Sequence, residues 1–343
     1  MSLDVGDRTV VVVNVSRYRC DALLVSPAGA RAVPLEGLTF PDVTARAHVF
    51  LGAQARLETR RLPLAEKVRL LEQVRETLDW LWGSVAKPVL DALDPLPSRI
   101  WWSPTGLLSV LPLHAAGSFD TGESVLDRVI SSYAGSVRMF GRAGDERLPD
   151  RPVLVVAVPE AAGLPTLHGV DEEIRAIEEI VTPTVLRGQS ATLAAVTDAL
   201  AGHDIAHFAC HATQNLADPA ESGIVLHDGK LGLGNIAAVP GGAHLAFLSA
   251  CRTGVGAVDV PDEALHVAAG FQTAGFRHVV GTLWSVEDQS AAEFTSAVYS
   301  RLRDGSGLDP GRTAVAVHEA TLLAREEDRY DPMRWAQWFH LGP

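Results

Sequence analysis

Two short apolar runs, each stopping at a reactive side chain, constrain this chain more than any other feature. Ile205 to Cys210 runs into His211, and His244 to Ala250 runs into Cys251. Runs of this length and composition, followed by small or turn-forming residues, read as buried strands. Gly254 and Gly256 let the backbone turn sharply after the second run. Val153 to Val158, Thr184 to Leu186 and Arg277 to Thr282 read as further strands. Between and after them lie helix-period segments at Gly169–Ile180, Thr192–Leu200, Asp262–Thr273, Asp288–Arg303 and Arg312–Arg325. Ile224–Leu226 and Lys230–Leu231 flank His227-Asp228-Gly229, a hairpin signal. Strands separated by helices imply right-handed βαβ units and a mostly parallel sheet. Sites in such sheets form beyond the carboxyl ends of the strands. Neighbouring strands lie roughly 4.7–4.9 Å apart, so adjacent strands would set His211 and Cys251 side by side on one rim.

The first half reads differently. Thr9–Val15, Cys20–Val25 and Ala30–Leu35 form a small antiparallel meander, with Ser26-Pro27-Ala28-Gly29 as a turn. Leu64, Val68, Leu71, Val74, Leu78 and Leu81 recur at helical spacing through 64–94, with breaks expected at Gly83 and Pro88. Arg99–Trp102 and Val129–Tyr133 are short strands. The polar, Gly- and Pro-rich segment 141–152 marks the main boundary, which gives domains at 1–150 and 151–343.

At 343 residues with 47% hydrophobic content, the chain can build a core without disulfides or metal. A net charge of −13 opposes general nucleic-acid binding, which needs a cationic surface. Three cysteines without close pairing, Cys20, Cys210 and Cys251, read as a reduced chain. The first residues lack a basic, cleavable leader, and no apolar run reaches the roughly 18–20 residues of a membrane span. These features predict a cytoplasmic protein that engages neither nucleic acid nor membrane. The glycines at 232, 234, 241 and 242 do not follow a strand with dinucleotide spacing, and no cofactor is expected.

Several ordered motifs resemble the CHAT family of caspase-like cysteine peptidases. They are His207-Phe208-Ala209-Cys210-His211-Ala212, Ser222 to Gly229, Leu248-Ser249-Ala250-Cys251-Arg252-Thr253-Gly254, Gly275 to Asp288, and Trp335 to Gly342. Trp101 to Leu113 is similar to the family's middle segment. The resemblance implies an α/β, caspase-like three-layer αβα sandwich with a mostly parallel sheet. It also implies that the first half is a degenerate caspase-like half, a supporting element with no nucleophile of its own. The matching residues imply a dyad of His211 and Cys251, forty positions apart, of the same order as the roughly 50 residues in caspases. Many caspase-like enzymes carry a glycine after the histidine, whose amide lines the oxyanion hole. Here it is Ala212, which keeps the amide, and the Cys251 amide would complete the hole.

Each candidate has a plainer reading beside it. A lone buried cysteine is usually packing, and Cys210, one residue before His211, is read that way. His203, His207 and His211 recur every four residues, which on a helix could bind zinc; their neighbours read as strand, and no metal site is assigned. His207 is read as a satisfied core histidine. Leu283 to Asp288 is similar to a stretch of the separases, where an aspartate lines the pocket for a basic P1 residue. Asp288 and Glu287 are therefore candidate substrate-binding residues, or simply acids at a helix N-terminus. The functional expectation is a cysteine endopeptidase acting on a protein substrate, with cleavage after Arg or Lys, governed by a separate regulatory protein chain. The alternative is a catalytically silent caspase-like scaffold. A basic P1 preference would make Arg142 or Arg147, in the boundary segment, a candidate self-cleavage site.

Overall fold

The computed structural model of the chain describes residues 5–59, 61–135, 152–213, 223–239, 244–249, 266–305 and 307–343. These form two compact units. One holds the described residues up to 135 and Arg325–Gln337; the other holds those from 152 to Ala324 and Trp338–Pro343.

In the first unit the predicted meander forms as β1 (Val10–Asn14), β2 (Asp21–Ser26) and β3 (Gly29–Pro34). Gly29, at φ 121°, supplies the left-handed turn that joins β2 to β3. Two further strands, β4 (Arg99–Pro104) and β5 (Ile130–Tyr133), extend the order to β3-β2-β1-β4-β5. The β1–β4 and β4–β5 pairs are parallel, so the meander is only the margin of a mixed sheet. Helix α1 (Phe40–Leu57) goes beyond the sequence reading. Its buried residues are Val43, Ala47, Phe50, Ala53 and Gln54, and the two alanines and the glutamine dilute the apolar period. Thr39 caps it by accepting from the Asp42 N–H at 3.2 Å. The expected breaks at Gly83 and Pro88 do not occur. Helix α2 (Leu64–Leu81) passes through a π turn at Trp82–Ala86 into α3 (Lys87–Asp91). A π turn loosens the ladder just ahead of the proline, whose ring and missing N–H would disrupt an α turn.

The second unit alternates as expected. Its strands are β6 (Val153–Ala157), β7 (Thr184–Arg187), β8 (Ile205–Ala209), β9 (Ala212–Thr213), β10 (Gly223–Val225), β11 (Lys230–Gly232), β12 (Leu245–Leu248), β13 (His278–Thr282), β14 (Arg303–Asp304), β15 (Gly307–Leu308) and β16 (Trp338–Leu341). Its helices are α4 (Val170–Glu178), α5 (Leu193–Leu200), α6 (Leu233–Ala237), α7 (His266–Thr273), α8 (Asp288–Leu302) and α9 (Thr313–Glu327). The main sheet runs β16-β13-β12-β8-β6-β7, parallel throughout except at β16. Strands β9, β10 and β11 form a separate antiparallel sheet.

Strand alternation sorts the side chains into two layers. Val153, Val155, Ile205 and Phe247 share a core with Ile174 and Ile177 of α4 and Phe294, Val298 and Tyr299 of α8. On the other face Phe208 meets Phe271 of α7 edge-on, with centroids 5.4 Å apart. Helices thus cover both faces of a mostly parallel sheet, the three-layer αβα arrangement. Strand β16, four residues without alternation, was not evident in the sequence. Its Trp338 stacks flat on Phe294, with centroids 4.4 Å apart.

Candidate active site

Strands β8 and β12 are parallel neighbours, paired from Ile205–Leu245 to Phe208–Leu248. The offset is constant: 245 − 205 and 248 − 208 are both 40. His211 lies three positions past Phe208, and Cys251 three past Leu248. Parallel strands leave a sheet at the same edge, so both segments depart from one rim. Cys251 itself lies outside the described residues. The last described position of this segment is Ser249, whose Oγ is buried without a hydrogen-bond partner among the described residues.

His211 is half-buried, with Nε2 2.7 Å from the carbonyl oxygen of Pro165. A carbonyl only accepts, so Nε2 carries the proton and donates it, and Nδ1 is the basic nitrogen of the neutral ring. Pro165 sits in the connection from β6 to α4, where the Leu164 N–H donates to Ala161 O and the Leu167 N–H to Pro159 O. Gly163, at φ 77°, makes the turn ahead of it. Beyond the histidine, the Val225 N–H donates to His211 O at 2.8 Å, and Ala212 faces Ile224 in the β9–β10 ladder. Antiparallel pairs alternate between hydrogen-bonded and non-hydrogen-bonded, so Ala212 falls in the second kind and its N–H points away from β10.

The candidate acids occur where β13 hands over to α8. Leu283 and Trp284 are buried, and Glu287 is the exposed N-cap residue of α8, making no side-chain cap bond. Asp288 opens the helix, while its side chain lies outside the described residues.

The other cysteines and histidine weighed in the sequence, Cys210, Cys20 and His207, are packed. Cys210 is fully buried, its Sγ donates to Val156 O at 3.2 Å, and burial pushes the thiol up to about 12. Cys20 is buried in the first unit with Sγ 3.6 Å from Ser16 O. His207 is wholly buried: Nε2 lies 3.0 Å from Glu173 Oε2, and the ring stacks on Phe247 at 4.8 Å. Its partners point to a core role. His203 turns Nδ1 back onto Ala199 O at 2.6 Å, in the turn after α5. Among the described residues no group of three or more His, Cys, Asp or Glu could hold a metal ion. No helix in them is long and apolar enough to cross a membrane.

Two partners escaped the sequence. Pro165 acts through its backbone carbonyl, which no side-chain pattern announces. Glu173 stands in the first turn of α4, where an acid is ordinary, yet it is buried with Val170, Ile174 and Ile177. An acid inside the apolar stripe of an amphipathic helix was the available signal.

A family model for the CHAT domain matches residues 75–343. The chain belongs to the CHAT domain family. Two structures of the Saccharomyces cerevisiae separase–securin complex match 99% of the chain at 10% identity, with TM-scores of 0.68 and 0.61. The chain covers 30% of those separase chains. A complex of the pro- and mature domains of Porphyromonas gingivalis RgpB matches 97% of the chain and 78% of its own at 12% identity, with a TM-score of 0.47. No curated protein sequence matches. The CHAT assignment and the separase-like fold make this a caspase-like cysteine protease scaffold.

Proposed function

We propose that the chain is a cysteine endopeptidase in which Cys251 is the nucleophile and His211 its proton-transfer partner. The observation that carries this reading is the strand register. The offset between β8 and β12 equals the separation between histidine and cysteine, so each residue leaves its strand the same number of steps beyond the last paired couple.

The chemistry follows from that pairing. Cys251 sulfur, as thiolate, attacks a peptide carbonyl and forms a C–S bond. The oxyanion that develops is held by backbone N–H groups, with Ala212 and Cys251 as the candidates. The Ala212 amide supports this by pointing away from its own ladder. His211 Nδ1 takes the Cys251 proton and gives it to the leaving amine as the C–N bond breaks; it then takes a proton from the water that cleaves the thioester C–S bond and returns it to the departing sulfur. The Pro165 carbonyl holds Nε2–H, which reserves Nδ1 for both transfers.

Glu287 and Asp288 are proposed as the acidic wall that selects Arg or Lys at P1. The exposure of Glu287 at the rim and the net charge of −13 support an attraction for basic segments. A separate protein chain is the proposed regulator, as the separase structures are complexes with securin. Residues 1–150 are proposed as a supporting half and 151–343 as the catalytic one, in a cytoplasmic protein.

The deciding experiment exposes the purified chain to peptidyl electrophiles with P1 Arg, Lys, Asp or Leu. Labelling of Cys251 by the basic probes, abolished by His211→Ala, is expected. No labelling of Cys251 by any probe would assign the chain to the silent-scaffold class instead.

A further inference from the structure

One buried hydrogen-bond chain joins the three elements that serve the site. Helix α4 follows the loop whose Pro165 carbonyl holds His211. Strand β8 ends at His211, and helix α8 begins at the acids proposed to bind substrate. Glu173 of α4, 5% exposed, accepts from His207 Nε2–H of β8 at 3.0 Å. The Thr295 hydroxyl of α8 donates to the same carboxylate oxygen at 3.5 Å. The Tyr299 hydroxyl, one turn further along α8, donates to His207 Nδ1 at 3.4 Å. Every donor in the chain meets an acceptor, and the direction of each bond fixes the His207 tautomer.

This arrangement is costly for a core. The surroundings are Val155, Ile174, Ile177 and Phe247, and burying a carboxylate among such groups is unfavourable even when paired. An apolar cluster would fill the same volume more stably, but it tolerates sliding. Hydrogen bonds do not: the 3.0 Å Glu173–His207 bond is lost beyond about 3.5 Å, a limit at which the Thr295 and Tyr299 bonds already stand. The titratable groups that face Glu173 are His207 from β8 and Tyr299 from α8; Cys210, one residue past β8, feels its charge, and β12 contributes the apolar Leu245 and Phe247 to the same core. The carboxylate charge adds to the burial that holds the Cys210 thiol and the Tyr299 phenol in their protonated forms.

We propose that Glu173 and His207 are positioning residues, whose buried pair with Thr295 and Tyr299 fixes α4, β8 and α8 in one alignment and thereby sets the Pro165–His211 hydrogen bond. Glu173 lies eight positions after Pro165 on a continuous path into α4, so a slide of the helix shifts the carbonyl that orients the catalytic imidazole. The inference rests on the reading of His211 as the proton-transfer group.

The test uses the full chain with 15N-labelled histidine, in wild type and the variants Glu173→Gln, Glu173→Leu and Tyr299→Phe. The His211 ring-nitrogen shifts, assigned with His211→Ala, report its tautomer. The pH–rate profile of Cys251 alkylation by iodoacetamide reports the dyad. Glu173→Gln keeps an acceptor oxygen for His207 Nε2–H and is expected to retain the wild-type tautomer and profile. Glu173→Leu, folded by circular dichroism, is expected to show mixed tautomers at His211 and alkylation slowed by about 10- to 100-fold. If leucine does not fold, Tyr299→Phe keeps the shape, frees His207 Nδ1 and is expected to broaden the His211 signal. An unchanged His211 signal in a folded variant lacking either the Glu173 acceptor or the Tyr299 donor overturns the proposal. A wild-type chain whose Cys251 shows no enhanced alkylation defeats the enzyme reading instead, and the histidine spectra still judge the positioning role.

Discussion

The three cysteines give a sharp prediction, because two of them are placed and their surroundings differ from what a nucleophile needs. Burial raises the Cys210 thiol from its ordinary value of 9.0 to about 12. At pH 7.5 its thiolate fraction is about 3 × 10⁻⁵, against about 3% for an ordinary thiol, a deficit of about 1000-fold. The side chain is also closed to reagent at 0% exposure, which compounds the deficit. Cys20 is 7% exposed and similarly enclosed. Brief iodoacetamide treatment of the native chain at pH 7.5, followed by peptide mass spectrometry, is therefore expected to mark Cys251 alone. Cys251→Ala is expected to remove essentially all fast labelling, and His211→Ala to slow it. In 6 M guanidinium all three cysteines should react alike, which controls for peptide detection. Native labelling of Cys210 within tenfold of Cys251 would refute the reasoning, since it requires either a different burial or a different nucleophile.

Three further outcomes follow from the same structure. The unfolded Cys210 thiol ionises above its ordinary value of 9.0 while the folded one keeps its proton to about 12, so stability should fall as pH rises through that window. The slope is at most about 1.4 kcal/mol per pH unit; urea melts between pH 9 and 10 should show a flatter dependence in Cys210→Ala than in wild type, the buried tyrosines contributing equally to both. Gly223→Ala places a Cβ 2.5 Å from Leu231 O, within the β10–β11 pair, and should cost about 1–3 kcal/mol in urea unfolding; an unchanged midpoint would show that the pair can shift. Trp338→Ala removes the ring stacked on Phe294 inside the second unit's core and should cost about 3–5 kcal/mol; a loss below 1 kcal/mol in the same assay contradicts that burial.

Much of the second unit was legible because its strands are short unbroken runs of Val, Ile, Leu and Phe between turn residues, and a buried parallel strand has no other way to read. The hairpin around His227-Asp228-Gly229 announced itself through turn chemistry in the same manner. Helix α1 was hidden because Ala47, Ala53 and Gln54 make up three of its five buried residues, which leaves little hydrophobic contrast. The passage through Pro88 was misread because a π turn, a feature of the ladder rather than of composition, takes up the missing bond. At the site, the histidine and its rim were visible from where the β8 run stops. The Pro165 carbonyl was not, since a backbone acceptor is available at every residue and only the fold chooses which one is used. Glu173 stands among Val170, Ile174 and Ile177, but an acid in a helix's first turn is equally explained by the helix dipole, so its inward face shows only in the fold.

The matched offset of β8 and β12 also frees the chain between them. Because the ladder aligns the two exits, the number of residues looping from one to the other has no say in where either strand ends. Insertions in that excursion, including a grafted tag or sensor, should leave the alignment of the two strand ends untouched. A single residue gained or lost inside either strand would instead throw one partner to the opposite side of the sheet. Tolerance to length is thus concentrated in the connection, and intolerance in nine hydrogen-bonded residues, the five of β8 and the four of β12.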